Sequence, residues 1–161
     1  MVSLVRYATP LLLLAMVASA WGAERAAHPA LEGTVVRVVD GDTIVVRIGA
    51  RMERVRYIGV NAPEVHHPTR GEEPGGREAS EVNRQLVEGR RVRLELDLQE
   101  RDRYRRLLAY VWVGELMVNA ELVGRGYAQV MTVPPNVRYQ ELFLKLQREA
   151  RDAGRGLWKR A

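Results

Sequence analysis

Several charged residues of this 161-residue chain stand where folding alone would not put them. Asp40 and Asp42 flank a glycine between two β-branched runs, Arg56 sits inside a third such run, and Glu64 follows Pro63 at the head of a loop. Asp102, Arg103, Tyr104, Arg105 and Arg106 crowd one connection further on. Taken singly, each has an ordinary reading: Asp-Gly-Asp as a turn, Glu64 as a loop acid, the arginine run as a solvated face. Taken together they form a chemical set. Acidic or amide oxygens with a further carboxylate suit a hard cation such as calcium. Two guanidinium groups reaching one point would clamp a phosphoryl group whose charge grows in the transition state. A carboxylate beside them would take a proton from water. The sum is metal-assisted phosphodiester hydrolysis. His66 and His67 have no third histidine or acid at metal spacing and read as polar loop residues.

Those residues must be positioned by a scaffold, and the hydrophobic pattern proposes one. GTVVRVVDGDTIVVRIG from Gly33 predicts a hairpin through Asp40-Gly41-Asp42, with a type I′ turn that places residues at positive φ. Residues 51–60 predict a third strand, and 61–77, with three prolines and three glycines, a long loop of the kind that usually carries function. Ala79, Val82 and Leu86 recur at helical spacing up to Gly89. RVRLELDL alternates, with Val92, Leu94, Leu96 and Leu98 on one face and Arg91, Arg93, Glu95 and Asp97 on the other. LLAYVWVG predicts a fifth strand, Val118 and Leu122 open a short helix, and Tyr139, Leu142, Phe143, Leu146 and Ala150 trace a longer one. The order βββ-α-ββ-α-α is that of an α+β fold, a five-stranded OB-fold Greek-key barrel with three helices.

Composition sets the outer limits. With 47% hydrophobic and 28% charged residues, a folded single domain is expected. The absence of cysteine excludes disulfides, thiolate metal sites and cysteine nucleophiles. The net charge is +5, and 23 of the 25 basic residues are arginine, which presents a surface of bidentate phosphate binders. Residues 1–20 carry Arg6, the apolar run Leu11–Val17 and Ala18-Ser19-Ala20, the order of a signal peptide cleaved after Ala20. The apolar run falls short of the roughly 20 residues of a membrane span. A secreted or periplasmic monomer without a membrane anchor is therefore expected, with residues 21–32 as a flexible leader and 33–160 as the domain.

VVDGDTIVV, VRYIGVNAPE, RDRYRRLLAYVWV, MVNAELVGRGYA and AGRGLW, in this order from Val35 to Trp158, resemble the thermonuclease (staphylococcal nuclease) family. The resemblance implies a calcium site at Asp42, Asn61 and the backbone carbonyl of Ala62, and phosphate-clamping arginines at Arg56 and Arg106. It implies Glu64 as the group that activates water, and Asp102, Arg103 and Tyr104 as the loop that meets the nucleotide. The implied substrates are DNA and RNA, cut with little sequence selectivity. Three positions depart from the pattern. Asn61 replaces an acid, so weaker calcium binding is expected. VMTVPPN lacks the family's two stacking tyrosines, and Arg105 replaces a glycine, with a differently bent loop and a further phosphate contact expected. These departures motivate an alternative, an OB-type module that holds single-stranded nucleic acid without cutting it.

Overall fold

The computed structural model describes residues 29–65, 69 and 71–159. The signal peptide expected at 1–20, the leader up to residue 28, and His66 and His67 lie outside the described residues. Three long strands come first: β1 (Ala30–Asp40), β2 (Thr43–Ile48) and β3 (Arg51–Tyr57). A two-residue strand β4 (Val60–Asn61) and helix α1 (Gly76–Val87) follow. Next come β5 (Arg91–Glu95), β6 (Leu107–Val113), the short β7 (Leu116–Met117) and helix α2 (Val118–Gly124). The short β8 (Gln129–Val130), helix α3 (Gln140–Asp152) and a single 3-10 turn at Gly156–Trp158 complete the order.

The sheet runs β3-β2-β1-β5-β6, and β3 also pairs in parallel with β6 through Val55 and Leu107, which closes five strands into a barrel. This is the α+β barrel with three helices that the patterning predicts. Its interior holds Val35, Ile44, Val46, Val55, Val92, Leu94 and Val111. A bulge between Val35 and Arg37 shifts the phase of β1, so Val35 and Val38 both face inward although they are three positions apart. One extra residue in a strand has that effect, because side chains alternate with period two.

Three local expectations are corrected. The strand begins at Ala30, inside the stretch 21–32 read as a leader, because Ala30, Leu31 and Glu32 pair with Glu95, Leu94 and Arg93 of β5. In the hairpin, neither Gly41 nor Asp42 has positive φ, so the turn is not type I′. Gly41 answers to space instead: a Cβ there would lie 2.5 Å from that of Ala62 and 2.9 Å from that of Ala79. The alternation of RVRLELDL also ends early. The strand stops at Glu95, Leu98 is 78% exposed, and Glu95 is buried.

Candidate active site

Asp42, Arg56, Asn61, Glu64, Asp102 and Arg106, drawn from four separate stretches of sequence, line one cleft of about 320 Å³. Register explains the first pair. Thr43 of β2 lies opposite Asp40 of β1 and Arg56 of β3, so one cross-strand row brings the hairpin acids beside the strand arginine. Asp42 is 5% exposed and Arg56 9%. Arg56 Nη2 lies 3.1 Å from Asp42 Oδ2, which also accepts the Ala62 N–H at 2.6 Å, while Thr43 Oγ1 donates to Asp42 Oδ1.

Arg56 is held on both amino groups. Its Nη1 donates to the carbonyls of Tyr57 and Val60, at 2.9 and 2.7 Å, and its Nη2 donates to Asn61 Oδ1 at 3.0 Å. The chain between Tyr57 and Asn61 therefore folds around the guanidinium and fixes its plane. Burial lifts the Asp42 carboxyl to about 7, reinforced by the neighbouring Asp40 and opposed by Arg56 and the Ala62 N–H. Two acids this close, one of them buried, favour a proton or a cation between them.

The acids are also braced from below by α1. Asn83, fully buried, donates to the Asp40 carbonyl at 3.0 Å and accepts the Tyr57 hydroxyl at 2.8 Å. Asn119 of α2 likewise ties β6 to the turn after β3, accepting Val111 N–H and donating to the Ile58 carbonyl. Patterning missed both residues. A signal existed at Asn83, an amide four residues from Ala79 and from Val87 on the buried face of α1.

Glu64 is exposed, and among the described residues its carboxylate has no hydrogen-bond partner, which leaves it open toward the cleft it lines. Its backbone is fixed by paired bonds with Glu73: Glu64 N–H to Glu73 Oε2 and Glu73 N–H to the Glu64 carbonyl. Gly76 lets the start of α1 press on that carbonyl, where a Cβ would come within 2.7 Å.

Asp102 organises the second basic loop. One carboxylate oxygen accepts the N–H groups of Tyr104 and Arg106, and the other accepts Arg106 Nε at 2.7 Å. Burial pushes this carboxyl up, but the bonds from Arg106 and Tyr104 outweigh it and hold it below the usual carboxylate range. With Nε committed, both Nη groups of Arg106 remain for an anion in the cleft. Arg103 and Tyr104 stack on each other, with the guanidinium 4.7 Å from the ring centre, and they do not line the cleft. Ala62 does not line it either, and meets Asp42 through its N–H.

Arg105 takes φ +66°, the left-handed conformation a glycine would supply, so this departure is absorbed as backbone strain within a turn tied by Arg105 N–H to the Asp102 carbonyl. Nor does Arg105 line the cleft. Left-handed backbone costs a side-chain-bearing residue roughly 1–2 kcal/mol. Arg105→Gly is therefore expected to raise unfolding free energy by about 1 kcal/mol in urea titration, after allowing for the added freedom of the unfolded glycine. An unchanged midpoint would show the residue to be unstrained.

The far wall mixes aliphatic side chains with two amides. Met131 and Val133 lie there, both exposed, with Leu108, Gln99 and Asn136. Asn136 fastens this wall to the connection before β6, accepting Gln99 N–H at 2.8 Å and donating to the Gln99 carbonyl at 2.7 Å. Behind it, Arg138 bridges Glu95 at 2.7 Å and Asp97 at 3.1 Å, and Tyr139 donates to Glu95. Burial pushes Glu95 up, and those bonds outweigh it and keep the carboxyl below its usual range.

The oxygen donors that fit calcium are Asp42, Asp40 and the side-chain carbonyl of Asn61. They form an all-oxygen set, with an acid pair, buried at Asp42 and half-buried at Asp40, whose mutual repulsion a cation would relieve. Among the described residues, no group of three histidines or acids forms a denser site.

Comparison with known proteins identifies the family. Residues 54–160 match the family described as staphylococcal nuclease homologue. The chain is 41% identical over 124 residues to the thermonuclease of Staphylococcus hyicus, covering 77% of this chain and 73% of that protein. It is 41% identical over 126 residues to the thermonuclease of Staphylococcus intermedius, covering 78% and 75%. To Endonuclease YncB of Bacillus subtilis it is 37% identical over 130 residues, covering 80% and 62%.

Proposed function

We propose, from the premise that the chain belongs to the staphylococcal nuclease family and is a nuclease, that it is a secreted or periplasmic calcium-dependent endonuclease. It hydrolyses phosphodiester bonds of DNA and RNA with little sequence selectivity, as a monomer. The observation that carries this reading is the convergence of Arg56, Arg106, Glu64 and Asp42 on one cleft.

The catalytic roles follow from what each group has left to offer. Arg56, locked in plane by its carbonyl partners, presents a fixed positive charge to a non-bridging phosphate oxygen. Arg106 meets the same phosphoryl group with its two Nη donors. Glu64, unpartnered, orients the attacking water and accepts its proton. Calcium held by Asp42 and the Asn61 side-chain carbonyl, with Asp40 beside them, would supply further neutralisation of charge on the phosphate. Asp102 acts by shaping the loop around Arg106, with Arg103 and Tyr104 as the part of that loop that meets the flanking nucleotide. The side chains of Met131 and Val133 offer contact surface without a donor or acceptor that would read a base.

The test is incubation of the chain, expressed with its leader and recovered from periplasm or medium, with single-stranded DNA, duplex DNA and RNA, in calcium and in chelator. Calcium-dependent cutting of all three is expected, and the recovered mass should begin after Ala20. Retention of DNA on a filter without cutting in either condition would replace the enzyme by a binding module. Among the described residues no helix is long and apolar enough to cross a membrane.

The position of Asp42 also sets a pH dependence. With its carboxyl lifted to about 7, a proton must leave before the oxygen can ligate, so calcium affinity should fall about tenfold per pH unit below 7 and level off above it. Calorimetric titration of the metal-free protein at pH 6 and pH 8 reads this directly. Equal affinity at both values would mean that Asp42 is ionised throughout.

A further inference from the structure

The cross-strand row that carries Asp40, Thr43 and Arg56 into the cleft is the first of three on the outer face of the barrel. The next row along the same face is Arg37, Val45 and Arg54, and the one after it Thr34, Arg47 and Met52. Successive rows on one face of a sheet are about 7 Å apart, since strands rise roughly 3.3 Å per residue and alternate sides. Arg37, Arg47 and Arg54 are all exposed. None has an ion pair or hydrogen bond among the described residues, whereas Arg77, Arg91 and Arg101 elsewhere on the surface are each held by a carboxylate. Neither of the two outer rows contains an acid. Between the arginines stand exposed apolar side chains, Met52 at 57% and Val36 at 46%.

Three unpaired guanidinium groups lie beyond a phosphate-binding cleft on one open face, Arg37 and Arg54 in one row and Arg47 in the next about 7 Å further on, an arrangement that matches a chain carrying several phosphates. Met52 and Val36 add surfaces for sugars or bases without reading their identity. We infer that the outer face of β1, β2 and β3 is a track for the phosphate backbone of the polynucleotide flanking the scissile bond, gripped by Arg37, Arg54 and Arg47. The inference rests on the nuclease reading of the cleft and extends it. The cleft performs the cut, and the track gives long single strands an advantage over short ones.

The test combines R37Q, R47Q and R54Q in the full chain and measures two quantities. In chelator, binding of single-stranded DNA of some 30 nucleotides is followed against salt. The slope of log affinity on log salt should flatten by about 2, since each phosphate contact on a single strand contributes about 0.7. In calcium, KM for the same strand should rise about tenfold or more with kcat unchanged, while a dinucleotide is cleaved as by the parent chain. R54E alone should shift KM in the same direction, and serves if the triple variant is unstable. K145Q with R148Q, on α3 away from the track, should leave both quantities unchanged. An unaltered slope and KM in the triple variant, an equal loss on the dinucleotide, or an equal loss in the α3 control would overturn the track. If the parent cuts nothing, the nuclease reading fails while the salt slope still decides the track.

Discussion

Arg56→Ala is expected to lose at least about 1,000-fold in turnover, the scale seen when a fixed cation on a transferring phosphoryl group is removed. The same change should lower stability by about 3 kcal/mol near pH 8, because it strips the partner from a buried carboxylate. It also leaves the Tyr57 and Val60 carbonyls without the donor they share. The two effects separate with pH. Asp42 is already lifted to about 7 with Arg56 beside it, and without that cation it rises further. Below neutrality it then escapes the penalty by holding a proton, so the stability loss should shrink at pH 6, whereas turnover should not recover. Urea unfolding at both values, alongside turnover, checks this. Arg56→Lys makes the comparison sharper, since it keeps a charge but cannot satisfy two carbonyls, Asn61 and a phosphate together. Turnover near the parent level in either variant would remove Arg56 from the mechanism.

Arg106→Ala should cost about 100- to 1,000-fold in kcat with little change in unfolding midpoint. Arg106 is partly exposed, and the turn that carries it depends on Asp102 accepting backbone N–H groups, which alanine at 106 still provides. The fold is therefore indifferent to this side chain in a way that it is not to Arg56. A rise in KM with kcat intact would instead make Arg106 a binding group that contacts ground state and transition state equally. A large fall in midpoint would mark the Asp102 ion pair as structural.

The contrast between the two arginines was not legible in the sequence. Both are arginines beside aliphatic strands, and nothing local says that one is clamped by four groups and the other by one carboxylate. What spacing did convey was the nomination: acids at a hairpin, an arginine in a strand, a glutamate opening a loop rich in proline and glycine. It also conveyed the element order, because β-branched alternation and helical recurrence are properties of neighbours along the chain. Even there, two local signals misled. The Asp-Gly step suggested positive φ, yet Gly41 is required by the close approach of Ala62 and Ala79. Leu98 continued an alternation that the strand itself abandons after Glu95.

By itself, then, the sequence determined the fold class, the order of elements along the chain and which residue types were available for phosphodiester chemistry, since periodicity and composition act over a few residues. Only the tertiary structure decided that Asn83 would hold the Asp40 carbonyl from 43 residues away, that Arg138 would reach Glu95 across the same separation, and that Asn136 would pin the far wall to Gln99. It also decided that Arg37, Arg54 and Arg47 would share one open face, through a bulge in β1 that alternation alone does not reveal. The physical reason is the same in each case. A polar side chain is stable in the interior only when partners meet it there, and those partners arrive by chain closure, which no short window of sequence contains.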